Sequence, residues 1–219
     1  MSSEDPEGPV ILVLGGVNGA GKSSIGGERA RVVGFDYFNP DERARQIRAT
    51  LGCSIDEANS LAWAEGKRRL EEAIRGRFSF AFESTLGGRT IPALLVDAAR
   101  TGFKVLIWFV GLSSPEQHIA RVRARVVSGG HDIPEQMIRQ RWDASRRNVI
   151  DLLPHLAELR VFDNSQERDA ASGTIPPPRL LLHWDRGTIV APSVAKLKKT
   201  PEWAKPIVAA ALKLQRSKN

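Results

Sequence analysis

The chain has 219 residues, of which 42% are hydrophobic and 26% charged, and its formal net charge is +7. This length can bury one sizeable core, but the longest apolar runs, VILVL and VLIWFVGL, are too short for a membrane helix, which needs roughly 18 residues. The first residues, MSSEDPEGP, lack a signal-peptide pattern, so we expect a cytoplasmic protein without a membrane anchor.

Short apolar strands alternate with amphipathic helices along most of the chain. The first strand, VILVL, runs directly into the glycine-rich stretch GGVNGAGKSS. Ser54 and Glu57 stand at capping-box spacing where a long helix begins. We predict strands at residues 10–14, 35–38, 78–84, 104–112 and 159–165, and helices at residues 41–51, 54–75, 91–101, 115–127 and 134–153. This alternation predicts an α/β fold in three layers, with a mostly parallel central sheet.

The pattern changes after Gly173, where three consecutive prolines interrupt it. LLLHW and TIVAP then predict a small hairpin around Asp185-Arg186-Gly187, followed by a helix from about Pro201. We therefore place the main domain at residues 9–173, with a lid around 113–145. Residues 174–219 form a C-terminal hairpin and a basic helix packed on that core.

Positive charge is concentrated at the C-terminal end of the chain. Seven lysines and arginines lie between Lys196 and Asn219, against the single acid Glu202. A basic protein favours anionic partners, either phosphorylated small molecules or nucleic acid. A solvated helix explains the C-terminal charge equally well and is the interpretation that we favour, with nucleic-acid binding as the alternative.

The glycine-rich stretch matches the P-loop pattern GxxxxGK[ST] in full, from Gly16 to Ser23. Successive backbone N–H groups must turn toward phosphate oxygens there, in dihedrals that a Cβ would obstruct. Lys22 then reaches the β- and γ-phosphates, and the Ser23 hydroxyl binds Mg²⁺. The pattern predicts ATP and Mg²⁺ as cofactors in a P-loop NTPase fold. The nucleotide-binding residues that we predict are Gly16, Asn18, Gly19, Ala20, Gly21, Lys22, Ser23 and Ser24.

The wording NGAGKS also resembles the loop of ABC transporter ATPases. That family requires an apolar strand ending in paired acids downstream of the loop. Here the corresponding strand ends in FDNS at residues 162–165, without an acidic pair. We therefore reject the transporter interpretation.

Three further segments appear in a specific order: FNPDERA at 38–44, FESTLGGRT at 82–90 and RVRARVVSGGHDIPEQMIRQRW at 121–142, closed by VFDNS at 161–165. Together with the loop they resemble the short, single-chain members of the zeta-toxin family of P-loop kinases. The resemblance implies ATP-dependent phosphorylation of a small-molecule hydroxyl, in the best-known members the sugar of UDP-N-acetylglucosamine. It also makes an antitoxin protein a candidate partner.

The same resemblance assigns the family's catalytic carboxylate to Asp41, which would orient the acceptor hydroxyl and take its proton during transfer. Asp36 is near enough in sequence to compete for this role. The structural alternative is that Asp41 only caps the helix that follows Pro40.

Glu83, Thr85 and Arg89 align with the family's acceptor-binding stretch, at the carboxyl end of the third strand. Open α/β sheets place their binding sites at this edge. Glu83 follows an apolar run, where an unpaired charge is costly, so it would bind Mg²⁺ through water or accept a sugar hydroxyl. The alternative is a buried salt bridge between Glu83 and an arginine.

Arg121 and Arg125 are four residues apart and share one helix face, whereas Arg123 points elsewhere and is expected to be solvated. The resemblance places Arg121 on the ATP phosphates, with Arg125 as a further catalytic charge of the lid. Larger members carry a second phosphate-binding arginine near the position of His131. This chain has arginines only later, at Arg139 and Arg141.

Two rival functions stay open from the sequence. One is a P-loop kinase for another acceptor, such as a nucleoside, an antibiotic or a polynucleotide end, because a P-loop determines only the donor. The other is an ATP-dependent nucleic-acid-binding or regulatory protein that uses the basic C-terminal segment. Gly26-Gly27, close behind the loop, are poor helix sequence and make the first helix the least secure element.

Overall fold

The computed structural model describes residues 8–22, 37–127, 130–166 and 176–217. Within these residues the strands form one sheet in the order β2-β3-β1-β4-β5-β6-β7. The first five are parallel to their neighbours, and β6 and β7 are antiparallel. The strands are β1 (Val10–Gly15), β2 (Tyr37–Phe38), β3 (Phe80–Ser84), β4 (Lys104–Gly111), β5 (Glu158–Asp163), β6 (Arg179–Asp185) and β7 (Thr188–Ala191). The mostly parallel α/β sheet is confirmed.

Helices connect the parallel strands at positions that agree with the sequence periodicity to within one or two residues. The Ser54 hydroxyl accepts from the backbone N–H of Glu57, so this half of the predicted capping box is formed. The helices are α1 (Pro40–Leu51), α2 (Ile55–Gly76), α3 (Thr90–Arg100), α4 (Pro115–Val127), α5 (Glu135–Leu152), α6 (Val194–Leu197) and α7 (Lys205–Arg216). None of the helices in these described ranges is long and apolar enough to cross a bilayer.

The C-terminal segment is part of the main core. The hairpin of β6 and β7 extends the sheet through pairing of β6 with β5. Trp203, Ile207 and Ala211 are buried in the same cluster as β1 and β4. A Cβ on Gly111 of β4 would lie only 2.3 Å from the Trp203 ring. The lysines and arginines within 176–217 are exposed, so the apolar side of this part packs on the sheet while its charge is solvated.

The register of β1 and β3 shows where on the sheet the candidate site lies. In the parallel pairing of β1 with β3, Leu14 is opposite Glu83 and Gly15 is opposite Ser84. The glycine-rich loop that follows β1 therefore leaves the sheet beside the residues that follow β3. This is the carboxyl edge of the parallel strands, where α/β proteins bind ligands. Gly26, Gly27, Asp36, Ser23 and Ser24 lie outside the described residues.

Candidate active site

The loop after β1 forms a cradle that admits only glycine at its turns. Gly16, Gly19 and Gly21 have φ angles of +142°, +81° and +85°. A Cβ would lie 2.3 Å from the Val110 carbonyl oxygen at Gly16, and 2.5 Å from Asn164 Nδ2 at Gly21. Such a left-handed, closely packed loop turns its N–H groups toward a shared anion, which fits the phosphates of a nucleotide.

Two buried side chains hold this cradle from outside. Asn164, directly after β5, donates from Nδ2 to the Ala20 carbonyl at 2.8 Å. His118 on α4 lies with Nδ1 2.9 Å from the Asn18 carbonyl oxygen. Burial lowers the pKa of His118 to about 4, so the ring is neutral at pH 7 and Nδ1 carries the proton that it donates. Asn164 belongs to the VFDNS motif, but the sequence did not predict a role for Asn164 or for His118.

Glu83 is a buried carboxylate at the end of β3, with 7% of its surface exposed. It accepts from the Tyr37 hydroxyl at 2.6 Å and from Asn39 Nδ2 at 3.1 Å. Lys22 Nζ lies 4.0 Å from Glu83 Oε2. The arrangement brings the P-loop lysine together with a predicted acceptor-binding carboxylate. Among the described residues Lys22 is a cation beside Glu83, whereas the alternative interpretation predicted an arginine there.

Asn39, and not Asp41, caps α1. The Asn39 side chain accepts from the backbone N–H groups of Asp41 at 2.9 Å and of Glu42 at 3.2 Å. The interpretation of Asp41 as the helix cap is therefore wrong, because an asparagine two residues earlier already satisfies these donors. The Asp41 carboxylate lines the cavity, 3.4 Å from Arg125 Nη1.

The arginines of α4 make three different contacts. Arg121 donates to the carbonyl oxygens of Asn164 at 2.7 Å and of Gln166 at 3.3 Å. Arg125 pairs with Asp41 and also donates to the His131 carbonyl at 3.2 Å. Arg123 is exposed and pairs with Glu135. The structure therefore places Arg125 beside the candidate base, whereas the Arg121 guanidinium holds the loop that carries Asn164.

Arg141 on α5 was missed as a site residue. Its Nη1 donates to Asn18 Oδ1 of the P-loop at 2.8 Å, and its side chain lines the cavity. Burial lowers the pKa of the Arg141 guanidinium, and the charge of Asp41 partly offsets this. A signal was present in the sequence, because Arg141 falls three residues after Ile138 and eight before Val149, near the apolar side of the predicted helix. An arginine on the buried stripe of a helix indicates a site.

These side chains surround one cavity of about 540 Å³. Thr85 lines it, and its Oγ1 accepts from the Gly87 N–H at 3.3 Å. Arg89 is exposed at the start of α3 and is not part of the wall, so the geometry gives no support to its predicted contact with an acceptor. One face of α2 closes the cavity opposite the P-loop, through Asp56, Asn59, Ser60, Trp63 and Lys67.

Curated relatives match somewhat more than half of the chain. An uncharacterized protein of Haemophilus influenzae is 31% identical over 131 residues, 58% of this chain and 88% of its own length. A cytidylate kinase of Methanocella arvoryzae is 29% identical over 57% of this chain and 65% of its own length. The chain is thus similar to a nucleotide kinase over somewhat more than half of its length.

Solved structures of low sequence identity share the fold. The AvrRxo1-ORF1:-ORF2 structure with ATP has a TM-score of 0.62 at 18% identity, covering 90% of this chain and 65% of its own. A structure from the PezAT chromosomal toxin-antitoxin system of Streptococcus pneumoniae has a TM-score of 0.56 at 13% identity, covering 99% and 88%. The profile of one family, described as an AAA domain, matches residues 11–151. The chain belongs to this family and has a P-loop kinase-like fold.

Proposed function

We propose that this protein transfers the γ-phosphoryl group of Mg·ATP to a hydroxyl group of a small acceptor. One observation carries the proposal: the P-loop lysine and a partly buried arginine, Arg141, line a single cavity together with the carboxylates of Asp41 and Glu83. Cations beside the P-loop suit the transferred phosphoryl group, and carboxylates in the same cavity suit a hydroxyl that must lose its proton. A nucleotide-binding protein that transfers no phosphoryl group has no need for these carboxylates.

The donor side would be held by the chain's own backbone and two cations. The glycine cradle would bind the phosphates, with Lys22 on the β- and γ-phosphates and Arg141 at the γ-phosphate. The Ser23 hydroxyl would hold Mg²⁺, and Glu83 suits a water-mediated contact with the metal or an acceptor hydroxyl. When bound, Mg·ATP supplies the transferred group and the charge that stabilises ADP as it leaves.

Asp41 would act on the acceptor. The acceptor oxygen bonds to the γ-phosphorus while the bond from that phosphorus to the bridging oxygen breaks, and the hydroxyl proton passes to the Asp41 carboxylate. Arg125 orients this carboxylate from the lid helix, and Arg121 stays a predicted phosphate ligand. Thr85 and Arg89 stay predicted acceptor contacts, of which Thr85 has the support of lining the cavity.

The finer proposal is a kinase of zeta-toxin type in the cytoplasm, with an antitoxin as a candidate partner. Its support is the ordered set of motifs together with the shared fold of a chain from a toxin-antitoxin system. UDP-N-acetylglucosamine is the acceptor that this resemblance implies, so it belongs in the first set of compounds to be tested.

The test is transfer of label from γ-labelled ATP to a panel of nucleosides, amino sugars, nucleotide sugars and oligonucleotides. We expect acceptor-dependent ADP release and a labelled product, and loss of both in Lys22→Ala. Arg68→Ala, an exposed α2 cation paired with Glu72, is the control and should match the wild type. ATP binding without a labelled product from any compound would overturn the proposal.

The nucleic-acid rival has its own support in the outward-facing cations of the C-terminal segment. Deleting that segment is no test, because Trp203 and Ile207 would be lost from the core. Replacing the exposed Lys198, Lys199 and Lys213 by glutamine leaves the core intact. The rival predicts a loss of salt-sensitive nucleic-acid affinity, and the kinase proposal predicts unchanged transfer.

A further inference from the structure

The wall of the cavity opposite the P-loop is built from one face of α2. Asp56, Asn59, Trp63 and Lys67 follow one another at spacings of three or four residues, so their side chains share that face. All four line the cavity. The acceptor that reaches Asp41 would therefore contact this wall, which makes its chemistry a guide to the acceptor.

Carboxylates outnumber cations among the described residues that line the cavity. The acids are Asp41, Asp56, Glu83 and Asp132, and the cations are Lys22, Lys67 and Arg141. His131, which also lines the cavity, adds no charge at neutral pH because burial lowers its pKa below the ordinary value. Lys22 and Arg141 adjoin the cradle and would be taken by ATP, and Asp41 is paired with Arg125. The charge that faces the acceptor therefore comes mainly from Asp56 and Asp132, together with Lys67.

Lys67 adds little net positive charge to the acceptor half of the cavity. Its Nζ lies 2.6 Å from Glu71 Oε1, one helical turn further along α2. An ion pair of this kind cancels much of the field that a lone lysine would project into the cavity. A phosphate group on the acceptor would therefore meet an unfavourable potential on this side, while a positive charge would meet a favourable one.

Trp63 offers an aromatic surface on which the acceptor can bind. Its side chain lines the cavity although 52% of its surface is exposed. An indole face held at a cavity wall binds flat rings by stacking and cations through its π-electrons. Asp56, two turns earlier on the same face, would accept hydrogen bonds from amine or hydroxyl groups of the same ligand.

We propose, resting on the phosphotransfer proposed above, that the acceptor is a neutral or cationic ring compound that carries the reacting hydroxyl and no phosphate. Its ring lies on Trp63 and its amine or hydroxyl groups face Asp56. A nucleoside and an amino sugar both have this chemistry. UDP-N-acetylglucosamine, with its two phosphates, does not.

The test compares acceptors that differ by phosphate: uridine with its 3′- and its 5′-monophosphate and with UDP-N-acetylglucosamine, and glucosamine with its 1- and its 6-phosphate. Each candidate hydroxyl then stays free in at least one phosphorylated member. We expect the unphosphorylated member to have at least about tenfold higher kcat/KM in the set that reacts, about 1.4 kcal/mol. The set that reacts shows whether the acceptor is a nucleoside or an amino sugar. Preference for the phosphorylated members would overturn the inference and leave the proposed function intact, whereas no product from any compound would overturn both.

Variants of α2 test the wall itself. Asp56→Asn should raise KM for the preferred acceptor about tenfold, and Asp56→Lys should shift the preference toward its phosphorylated partner. Asp97→Asn, at a carboxylate 65% exposed on α3, is the matched control.

Trp63→Ala should raise KM for the preferred acceptor, while Trp63→Phe should retain most of the binding. Leu61→Ala, at an exposed residue two positions earlier, is the control. Unchanged KM in both Asp56→Asn and Trp63→Ala would contradict the inference.

Discussion

The two halves of the cavity are built in different ways. The donor half is backbone held by buried side chains: Gly16 and Gly21 in left-handed conformations, with His118 and Asn164 behind them. The acceptor half is a row of side chains on one helix face, with Trp63 half exposed. The donor half cannot vary without disturbing the strand ends, whereas the acceptor half can change its ligand without changing the fold.

A large effect on kcat is expected if Arg141 completes the donor half. Arg141→Met keeps the length of the buried stem but removes the charge beside Asn18. We expect kcat to fall by about 10²- to 10³-fold, because a preorganised cation at the transferred group is lost, while ATP affinity changes far less. Arg139→Met, two residues earlier and paired at the surface with Glu116, is the control. Equal kcat values in both variants would remove Arg141 from the mechanism.

A pH effect tests how firmly His118 holds the cradle. The folded-state pKa of about 4 lies below the ordinary 6.5, so the unfolded chain takes up a proton first as the pH falls. The free energy of unfolding should therefore decrease between pH 6.5 and 4, by about 3 kcal/mol from this group. His118→Asn, which keeps a donor near Nδ1, should lose this part of the slope. Denaturant titrations at several pH values measure it, and parallel profiles would contradict the assignment.

A smaller effect is expected from the cradle's own backbone. Gly21→Ala combines a φ of +85° with a Cβ 2.5 Å from Asn164, so ATP affinity should fall by about tenfold or more. Gly52→Ala, with a φ of +65° and open space around it, has the backbone strain without the collision. Calorimetric titration with a non-hydrolysable ATP analogue separates them. Equal losses would show that strain alone matters.

The smallest expected effect concerns a residue that the sequence assigned to the acceptor. Arg89 is exposed and outside the cavity wall. Arg89→Ala should leave KM for the acceptor within about twofold, since surface substitutions away from a site change little. A large rise in KM would restore the predicted contact, and would mean that the loop after β3 turns inward when the acceptor binds.

The sequence was sufficient to predict the P-loop and the layers of the fold, but not the side chains of His118, Asn164 and Arg141 that surround the loop. A P-loop is contiguous, and its glycines report backbone geometry directly. The helix and strand periods placed α4 from Pro115 to Val127 without error. The turn residues also predicted the C-terminal hairpin. Its pairing with β5 could not be predicted, because the periodicity of apolar residues does not say which strands become neighbours.

The acceptor half could not be predicted in the same way. Trp63 and Asp132 are far apart in the chain, and only tertiary packing brings them to one cavity. The cap of α1 shows the same limit at short range. Asn39 and Asp41 both suit a cap, and which of them takes the N–H groups depends on where the helix begins.

The most direct test of the phosphotransfer account is Asp41→Asn, with transfer and ATP affinity measured on the same preparation. Glu42→Gln, the next residue of the same helical turn, is the control. The account predicts a loss of transfer of about 10³-fold or more, because the amide cannot accept the hydroxyl proton, with the ATP dissociation constant unchanged within about twofold. Near-normal turnover of Asp41→Asn would contradict the account.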